Sequence, residues 1–461
     1  QVSFVTVGDA GNPPDSPVQI LHTAPTDGSA PISISVQGYG SVSNNFLIGK
    51  YDITASQYAV FLNSVARKSD PYGLYKTAMG SDSNAASITF TNGKYSTIPG
   101  AENFPIAHVT WFDAARFCNW MHNGQPVGDE DSSTTEAGAY NLNGATNDVA
   151  GDINTPANDY STVTAGAKYF IPDEDQWIKA AYYQKGSTAG IYWDYPTQTS
   201  HSAAFAELLS QQTVAKNNLI TATKPLNDAK AAYDTAKTTL DASLNDTENH
   251  QIAQEVYNNA QAALNTAQAN YNAALSDYNN ATTAVQTTRD ANAPQNTLPA
   301  FGLFFKLNAP TNCANCFVAS NHDYSQGAGA LTSSITSLAN SLTTYMADTY
   351  NKNINYQFAN PRAPYLTPVG TFLSSPGAYG TFDMGGNLYQ WTSRPDRLTN
   401  QNPGSRLIGG GSWKKVIPND LDRGTHVTCD PSKETDYIGF RIAAPTPAAG
   451  VPTDPGILLS K

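Results

Sequence analysis

The sequence predicts an α+β protein whose chain is interrupted by an inserted α-helical coiled-coil hairpin. Three observations predict this fold class. First, three segments before residue 185 carry the start signal of a short amphipathic helix. Second, the chain around them is rich in Gly, Pro, Asn and Asp with brief apolar runs, which favours short strands and loops over a βαβ alternation. Third, from about residue 200 the large apolar residues repeat every seven positions.

The three short helices are predicted from their N-terminal residues. Each start has an oxygen-bearing side chain followed three residues later by a second polar acceptor, as in Thr54 to Gln57, Thr110 to Asp113 and Asp173 to Gln176. Such a pair can satisfy the first backbone N–H groups of a helix reciprocally. In the first two helices the following apolar residues recur at spacings of three and four, so one face of each helix is expected to pack on a core.

Two rows of residues spaced by seven predict a long helical hairpin. In the second arm, one row holds large residues and the other holds alanine, namely Tyr257, Leu264, Tyr271, Tyr278 and Val285, and Ala253, Ala260, Ala267, Ala274 and Ala281. The segment before residue 243 repeats this pattern around Pro225, so the first arm either kinks or begins there. Residues 243–251 predict the hinge. A further pattern of four and three over residues 331–345 predicts a third helix.

The outer surface of the second arm is nearly uncharged. Between Ile252 and Thr288 only Glu255 and Asp277 are charged, and the outer positions are mostly Asn, Gln, Thr and Ala. A coiled coil exposed to water usually carries Glu and Lys beside its seam. Two interpretations remain open: an extracellular spacer with a neutral polar surface, or a surface packed against neighbouring subunits, where buried charge would be costly.

Composition and charge exclude some classes of function. With Lys+Arg 26 against Asp+Glu 38, the net charge of -12 would repel a nucleic acid backbone. No run approaches the ~18 apolar residues of a membrane helix. The low charged fraction of 14%, the 10% of aromatic residues and the start at Gln1 without a Met lead us to expect a secreted protein. The Pro-, Ala- and Gly-rich residues 445–461 predict an extended tail.

Four cysteines allow three pairings. Cys313 and Cys316 form a CANC motif, for which a local disulfide is the expected chemistry in a secreted chain. The alternatives are that these cysteines are free or paired differently, or that they bind zinc, although no second CxxC supplies further ligands to a metal. The pairing of Cys118 and Cys429 is left open.

Seven stretches resemble the formylglycine-generating enzyme and sulfatase-modifying-factor family. In chain order they are IGKYDITASQYAVFLN (48–63), PIAHVTWFDAARFCNWM (105–121), YFIPDEDQWIKAAYY (169–183), TPVGTF (367–372), YGTFDMGGNLYQWTS (379–393), RLIGGGSW (406–413) and IGFRIAA (438–444). The resemblance implies a C-type-lectin-like domain. It also implies that the tryptophans in these stretches fill the core and that Arg441 pairs inside the fold.

This resemblance organises the chain into five parts. They are an N-terminal extended segment (1–34), the first part of the family domain (35–198), a helical coiled-coil insertion with the CxxC loop (199–355), the second part of the domain (356–444) and the tail (445–461).

The resemblance also indicates a missing catalytic centre. Catalytic members of the family bind copper through a cysteine pair shortly after the GGS-aromatic turn. In this sequence the matching positions are Lys415 and Asp420. Neither side chain is a thiolate, which is the soft ligand that Cu(I) requires. We therefore expect no copper and no enzymatic activity of the family type.

A calcium site is a second property that the resemblance implies. The matching positions are Asp383, the carbonyls of Gly386 and Leu388, and Gln390. Family members have a glutamate at the position of Gln390, so this ligand has lost a charge, which should weaken a site for a hard cation. The alternative is that Asp383 only caps a turn.

The sequence thus predicts a secreted, non-enzymatic structural protein that self-associates into a filament or surface layer through its helical insertion. The first alternative is a lectin-like module that binds a glycan or a surface protein. The second is a copper-dependent formylglycine-generating oxidase with a displaced cysteine pair.

Overall fold

The fold is a mixed α/β structure with a long helical insertion. In this computed structural model the described residues are 2–15, 38–147, 160, 162–200, 202–244, 247–288, 366–372, 375–395, 404–414, 423 and 427–446, with the backbone of four short strands at 18–21, 33–36, 295–296 and 313–314. Four predictions lie outside the described residues: the third helix at 331–345, the Cys313–Cys316 disulfide, the absence of copper ligands at 415 and 420, and the tail beyond residue 446.

The chain divides into two compact units. The first comprises Gln1–Ser16, Gly38–Ser200 and Asn292–Lys461, and the second comprises Pro17–Gln37 and His201–Ala291. The strands are β1 (Phe4–Val7), β2 (Val18–Leu21), β3 (Ser33–Val36), β4 (Phe46–Gly49), β5 (Ile88–Thr91), β6 (Lys94–Thr97), β7 (Gln295–Asn296), β8 (Cys313–Ala314), β9 (Tyr389–Pro395), β10 (Arg406–Gly409), β11 (Val427–Cys429), β12 (Ile438–Gly439) and β13 (Ala443–Pro445). The helices are α1 (Ala55–Val65), α2 (Ala78–Ser81), α3 (Trp111–His122), α4 (Glu174–Tyr182), α5 (Ala203–Ala242) and α6 (Thr247–Thr287).

Two small sheets organise the first unit. One has the order β1-β4-β13 and is antiparallel throughout, with Phe4 opposite Gly49 and Ala443 opposite Ile48. The other has the order β11-β10-β9-β12, in which only β12 runs parallel to its neighbour β9. The segment between β12 and β13 therefore connects the two sheets, and it carries Arg441.

The three predicted capping pairs are confirmed. In each of α1, α3 and α4 the N-cap side chain accepts from the N3 backbone, and the N3 side chain accepts from the N-cap backbone. At α3 the Asp113 N–H donates to Thr110 Oγ1 over 3.0 Å and the Thr110 N–H donates to Asp113 Oδ2 over 2.9 Å. Both residues are buried, so these bonds satisfy groups that water cannot reach.

We expect the substitution Thr110→Ala to lower the free energy of unfolding by about 1–2 kcal/mol, because it removes the cap acceptor and leaves the Asp113 N–H without its partner. Denaturant unfolding of the full chain measures the loss. Thr110→Ser keeps the hydroxyl and should remain within about 0.5 kcal/mol of the parent. Equal midpoints for Thr110→Ala and Thr110→Ser would contradict the capping role.

The core of the first unit is aromatic. Tyr58, Phe61 and Phe117 pack with ring centroids 5.4–6.2 Å apart, and Phe440 reaches this group from the segment after β12. The five tryptophans of the family stretches are buried, as predicted, namely Trp111, Trp120, Trp177, Trp391 and Trp413. Such side chains each bury a large apolar area, so they fix the helices against the sheets.

The second unit contains an antiparallel pair of helices of 40 and 41 residues, each roughly 60 Å long at 1.5 Å per residue. The antiparallel direction follows from three contacts that lie progressively farther from the hinge: Ser243 with His250, Tyr233 with Tyr257, and Gln212 with Thr282. Pro225 lies inside α5, so this arm continues through the proline and does not begin there. Among the described residues, no helix is long and apolar enough to cross a membrane.

Both predicted heptad rows lie on the less exposed face of α6. The large residues of the row and the alanines of the second row are buried or half-buried, whereas most positions between them are exposed. Tyr257 contacts Tyr233 of α5 with ring centroids 5.2 Å apart and a 2.9 Å bond between the two hydroxyls. This contact of the large row therefore lies within the hairpin.

Candidate functional site

The turn that precedes β9 contains three of the four predicted calcium-binding positions, Asp383, Gly386 and Leu388, and the fourth, Gln390, is the second residue of β9. The backbone of the turn is left-handed at Asp383 (φ 57), Gly386 (φ 81) and Asn387 (φ 65). The Gly386 N–H donates to the carbonyl of Gly410 over 2.6 Å. Gly410 has φ 96, and a Cβ there would come within 2.4 Å of the Met384 carbonyl oxygen. This position therefore requires glycine, because the two turns are in backbone contact.

The side-chain amide of Gln390 lies at the centre of the site and is fully buried. Its Oε1 accepts from Trp177 Nε1 over 2.8 Å and from Arg441 Nε over 2.9 Å. Its Nε2 donates to the backbone carbonyl of Asp383 over 2.6 Å. An indole and a guanidinium can only donate, so these two partners fix which end of the amide is the oxygen.

Arg441 joins this turn to the sheets. Its side chain is fully buried, and its Nη1 donates to the Gly49 carbonyl at the end of β4 over 2.6 Å. Its Nη2 donates to the Phe382 carbonyl over 2.7 Å and lies 3.4 Å from Asp52 Oδ1. The prediction that Arg441 pairs inside the fold is confirmed. A buried guanidinium with this many acceptors locks three chain segments together.

Two carboxyl groups share the environment of Arg441. Burial raises the pKa of Asp52 from 3.8 to about 8, although the Arg441 charge opposes this shift and Asp383 adds to it. Burial also raises the pKa of Asp383 to about 6, against the Gly370 N–H bond and the Arg441 charge, which lower it. At neutral pH Asp52 is then mostly protonated and Asp383 mostly ionised. One buried cation therefore faces one buried anion, and the charge is balanced.

The residues present do not fit a calcium ion. Calcium takes six to eight oxygen ligands, with carboxylates among them. Asp383 Oδ2 accepts from the Gly370 N–H over 2.6 Å, and Gln390 turns an NH2 group, not an oxygen, toward the turn. Gly386 and Leu388 lie in the same turn as predicted, and the Leu388 side chain is buried. The capping alternative for Asp383 agrees with its bond to Gly370.

The GGSW turn leads into a lysine–carboxylate pair. Lys414 Nζ donates to both carboxylate oxygens of Asp436 over 2.8 Å, and it lies 5.4 Å from the centre of the Tyr437 ring. Asp436 also accepts from Asn84 Nδ2 over 3.0 Å. The backbone N–H of Trp413 donates to the backbone carbonyl of Asn387 over 3.1 Å, so the GGSW turn also contacts the turn before β9.

Cys118 and Cys429 differ in environment. Cys118 is in α3 and is fully buried, and burial raises the pKa of its thiol well above the ordinary value. A thiol kept protonated in this way is a poor metal ligand. Cys429 is half-buried at the end of β11.

The order of these elements and turns matches one known family. The FGE-sulfatase family model, described as the sulfatase-modifying factor enzyme 1-like domain, matches residues 39–304 and 319–445. The chain belongs to the FGE-sulfatase family. The match to this family confirms the resemblance on which the site positions were predicted.

Three solved structures are similar to this FGE-sulfatase chain over nearly its full length. A crystal structure of CarF has 11% identity and a TM-score of 0.38, covering 96% of this chain and 98% of that one. Treponema denticola variable protein 1 has 12% identity and a TM-score of 0.35, covering 96% and 95%. PvdO from Pseudomonas aeruginosa has 11% identity and a TM-score of 0.31, covering 96% and 94%.

The role of Asp52 and two contacts between distant residues were missed by the sequence reasoning. Asp52 follows β4 and carries no motif of its own; the only signal was that it is the one carboxyl group in residues 48–63. The contact of Trp177 with Gln390 joins residues 213 positions apart, and that of Lys414 with Asp436 joins residues 22 apart. Contacts of this kind depend on tertiary packing.

Proposed function

We propose that this FGE-sulfatase chain is a secreted, non-enzymatic structural protein with a C-type-lectin-like core that self-associates through the outer face of its helical insertion. The observation that carries the proposal is the sequence after the GGSW turn, where Lys415 and Asp420 stand at the positions of the copper-binding cysteines of catalytic members. An ammonium group and a lone carboxylate cannot replace two thiolates as Cu(I) ligands.

The surroundings of that turn support the loss of the metal centre. Lys414 is held by Asp436 and lies near the rings of Trp413 and Tyr437. A cation at this place disfavours a second cation nearby. Cys118 does not supply a replacement thiolate, because it is buried in α3 with a raised thiol pKa.

The helical insertion supports self-association. We propose that the two heptad rows pack α5 and α6 as a coiled coil, which leaves the outer face available for other subunits. On α6 that face carries only Glu255 and Asp277 as charged residues between Ile252 and Thr288, whereas α5 carries both lysines and carboxylates. Close to the hinge the hairpin exposes Leu244, Ile252 and Val256 at 69%, 59% and 52%. Exposed apolar side chains suit contact with a second copy of the same surface.

Copper loading tests the non-enzymatic part of the proposal. The full chain with Cys313→Ser and Cys316→Ser, which removes the CANC thiols that reduced protein would offer to Cu(I), should bind no stoichiometric copper through sulfur and should not consume oxygen in the presence of thiol. X-ray absorption of the metal and an oxygen electrode give the two readouts. Copper held by two sulfur atoms together with thiol-dependent oxygen uptake would show that the chain is an oxidase.

Electron microscopy and light scattering over a concentration series test the assembly. The full chain should form filaments or layers, and Ile252→Lys combined with Val256→Lys should raise the concentration needed at least 10-fold by placing charge on the outer face. Val127→Lys is the matched control, because Val127 is 83% exposed on the first unit. A parent protein that stays monomeric at every concentration argues against assembly, as does equal assembly of all three proteins.

A further inference from the structure

We infer that the side-chain amide of Gln390 takes the place of a metal cation in the turn before β9, so that this turn is closed by an internal hydrogen bond and needs no calcium. The four positions of the family's calcium site are all present around the turn. What differs is the chemical group that Gln390 turns toward it.

The orientation of the amide is the first step. Trp177 Nε1 and Arg441 Nε both point their hydrogens at one atom of Gln390, at 2.8 Å and 2.9 Å. Because neither group can accept a hydrogen bond, that atom must be the amide oxygen. The NH2 group therefore faces the turn, and its oxygen is already used by two buried donors.

The short contact to the turn is the second step. Gln390 Nε2 lies 2.6 Å from the Asp383 carbonyl oxygen and donates to it. A glutamate in the same position would bring a carboxylate oxygen to this carbonyl instead. Two oxygens at such a distance repel unless a proton or a cation lies between them. The exchange of one NH2 for one oxygen thus decides whether the turn requires a cation.

Charge balance is the third step. Arg441 is the buried cation among these residues, and the buried carboxyl of Asp52 already lies 3.4 Å from its Nη2. Neutral Gln390 leaves this balance unchanged. A second carboxylate in the same buried position would leave an uncompensated negative charge, and a bound divalent cation would compensate it.

The test compares the full chain with its Gln390→Glu variant in calcium and in chelator. We expect the thermal midpoint of the parent to be the same in both. We expect the variant to have a lower midpoint than the parent in chelator and to gain about 5 °C in calcium at 100 times its Kd. Terbium gives a second readout, because Trp177 lies beside the turn and would sensitise emission from an ion bound there.

Two control variants make the test specific. Gln211→Glu adds the same charge at an exposed position of α5 and should show no response to calcium. The double variant Asp383→Asn with Gln390→Glu keeps the new glutamate but lacks the turn carboxylate, so its calcium response should be lost.

Two results would overturn the inference. One is a parent protein that gains stability in calcium or shows sensitised terbium emission, with the response removed by Asp383→Asn. The other is a folded Gln390→Glu variant that is indifferent to calcium. If Gln390→Glu folds only in calcium, the inference is supported. If it folds in neither condition, terbium emission from the parent decides, since the inference requires that there be none.

Discussion

Arg441→Met should lower the free energy of unfolding by about 3–5 kcal/mol, the largest loss expected from any single substitution around the site. Methionine fills much of the same volume but cannot donate. The carbonyls of Gly49 and Phe382 and the Oε1 of Gln390 would each lose a buried donor. Asp383 would lose the cation that lowers its pKa, so its buried charge would become costlier. Urea unfolding of the full chain, followed by tryptophan fluorescence, measures this loss.

Two further variants test whether the loss in Arg441→Met comes from the hydrogen bonds of this guanidinium and not from the removal of an arginine in general. Arg441→Lys keeps the charge but can reach fewer of the four acceptors, so it should fall between the parent and Arg441→Met. Arg67→Met removes an exposed arginine from the same unit and should change the unfolding free energy by less than about 0.5 kcal/mol. If Arg441→Met unfolded at the same midpoint as Arg67→Met, Arg441 would not hold the segments together.

The parts of the fold that could be predicted from sequence are those fixed by residues close together in the chain. A capping pair such as Thr110 with Asp113 needs only residues three apart, so its geometry follows from local sequence. The heptad rows of α6 are equally local, because their spacing alone places them on one helix face. Pro225 could not be placed by such reasoning, since whether a helix continues through a proline depends on what else stabilises it.

The position of the candidate site could be predicted from sequence, but its hydrogen bonds could not, because they join residues far apart in the chain. The family resemblance located the turn at Asp383 and Gln390, but it could not say which end of the amide faces the turn. That is decided by Trp177 and Arg441, which lie 213 and 51 residues away. Asp52 and Arg441 are separated by 389 residues, and no periodicity links them. The hydrogen bonds of Asp383 and Gln390 therefore follow only once their distant partners are known.

The contribution of Asp52 to the stability of the protein should fall as the pH rises from about 4 to about 8. Its folded pKa is raised to about 8, whereas the unfolded value is near 3.8, so the folded state binds more protons across this window. Stability that is fully present below pH 4 is then lost as the pH rises through 8. The raised pKa values of Asp383 (about 6) and Glu130 (about 8) act in the same direction.

Asp52→Asn isolates the contribution of this one carboxyl, since an amide does not titrate and resembles the protonated form. Between pH 5 and pH 7 the parent should lose about 2–3 kcal/mol more unfolding free energy than the variant, at up to about 1.4 kcal/mol per pH unit. Asp52 Oδ2 has no hydrogen-bond partner among the described residues, so an amide NH2 at this place would itself change the absolute stability. The comparison therefore uses the slope of the unfolding free energy with pH.

Asp228→Asn provides the matched control, because it removes a carboxylate that is 65% exposed on α5. Its unfolding free energy should follow the pH dependence of the parent. Parallel curves for the parent and Asp52→Asn would mean that Asp52 is already ionised in the folded protein at pH 5. The site would then hold two carboxylates against one guanidinium at neutral pH.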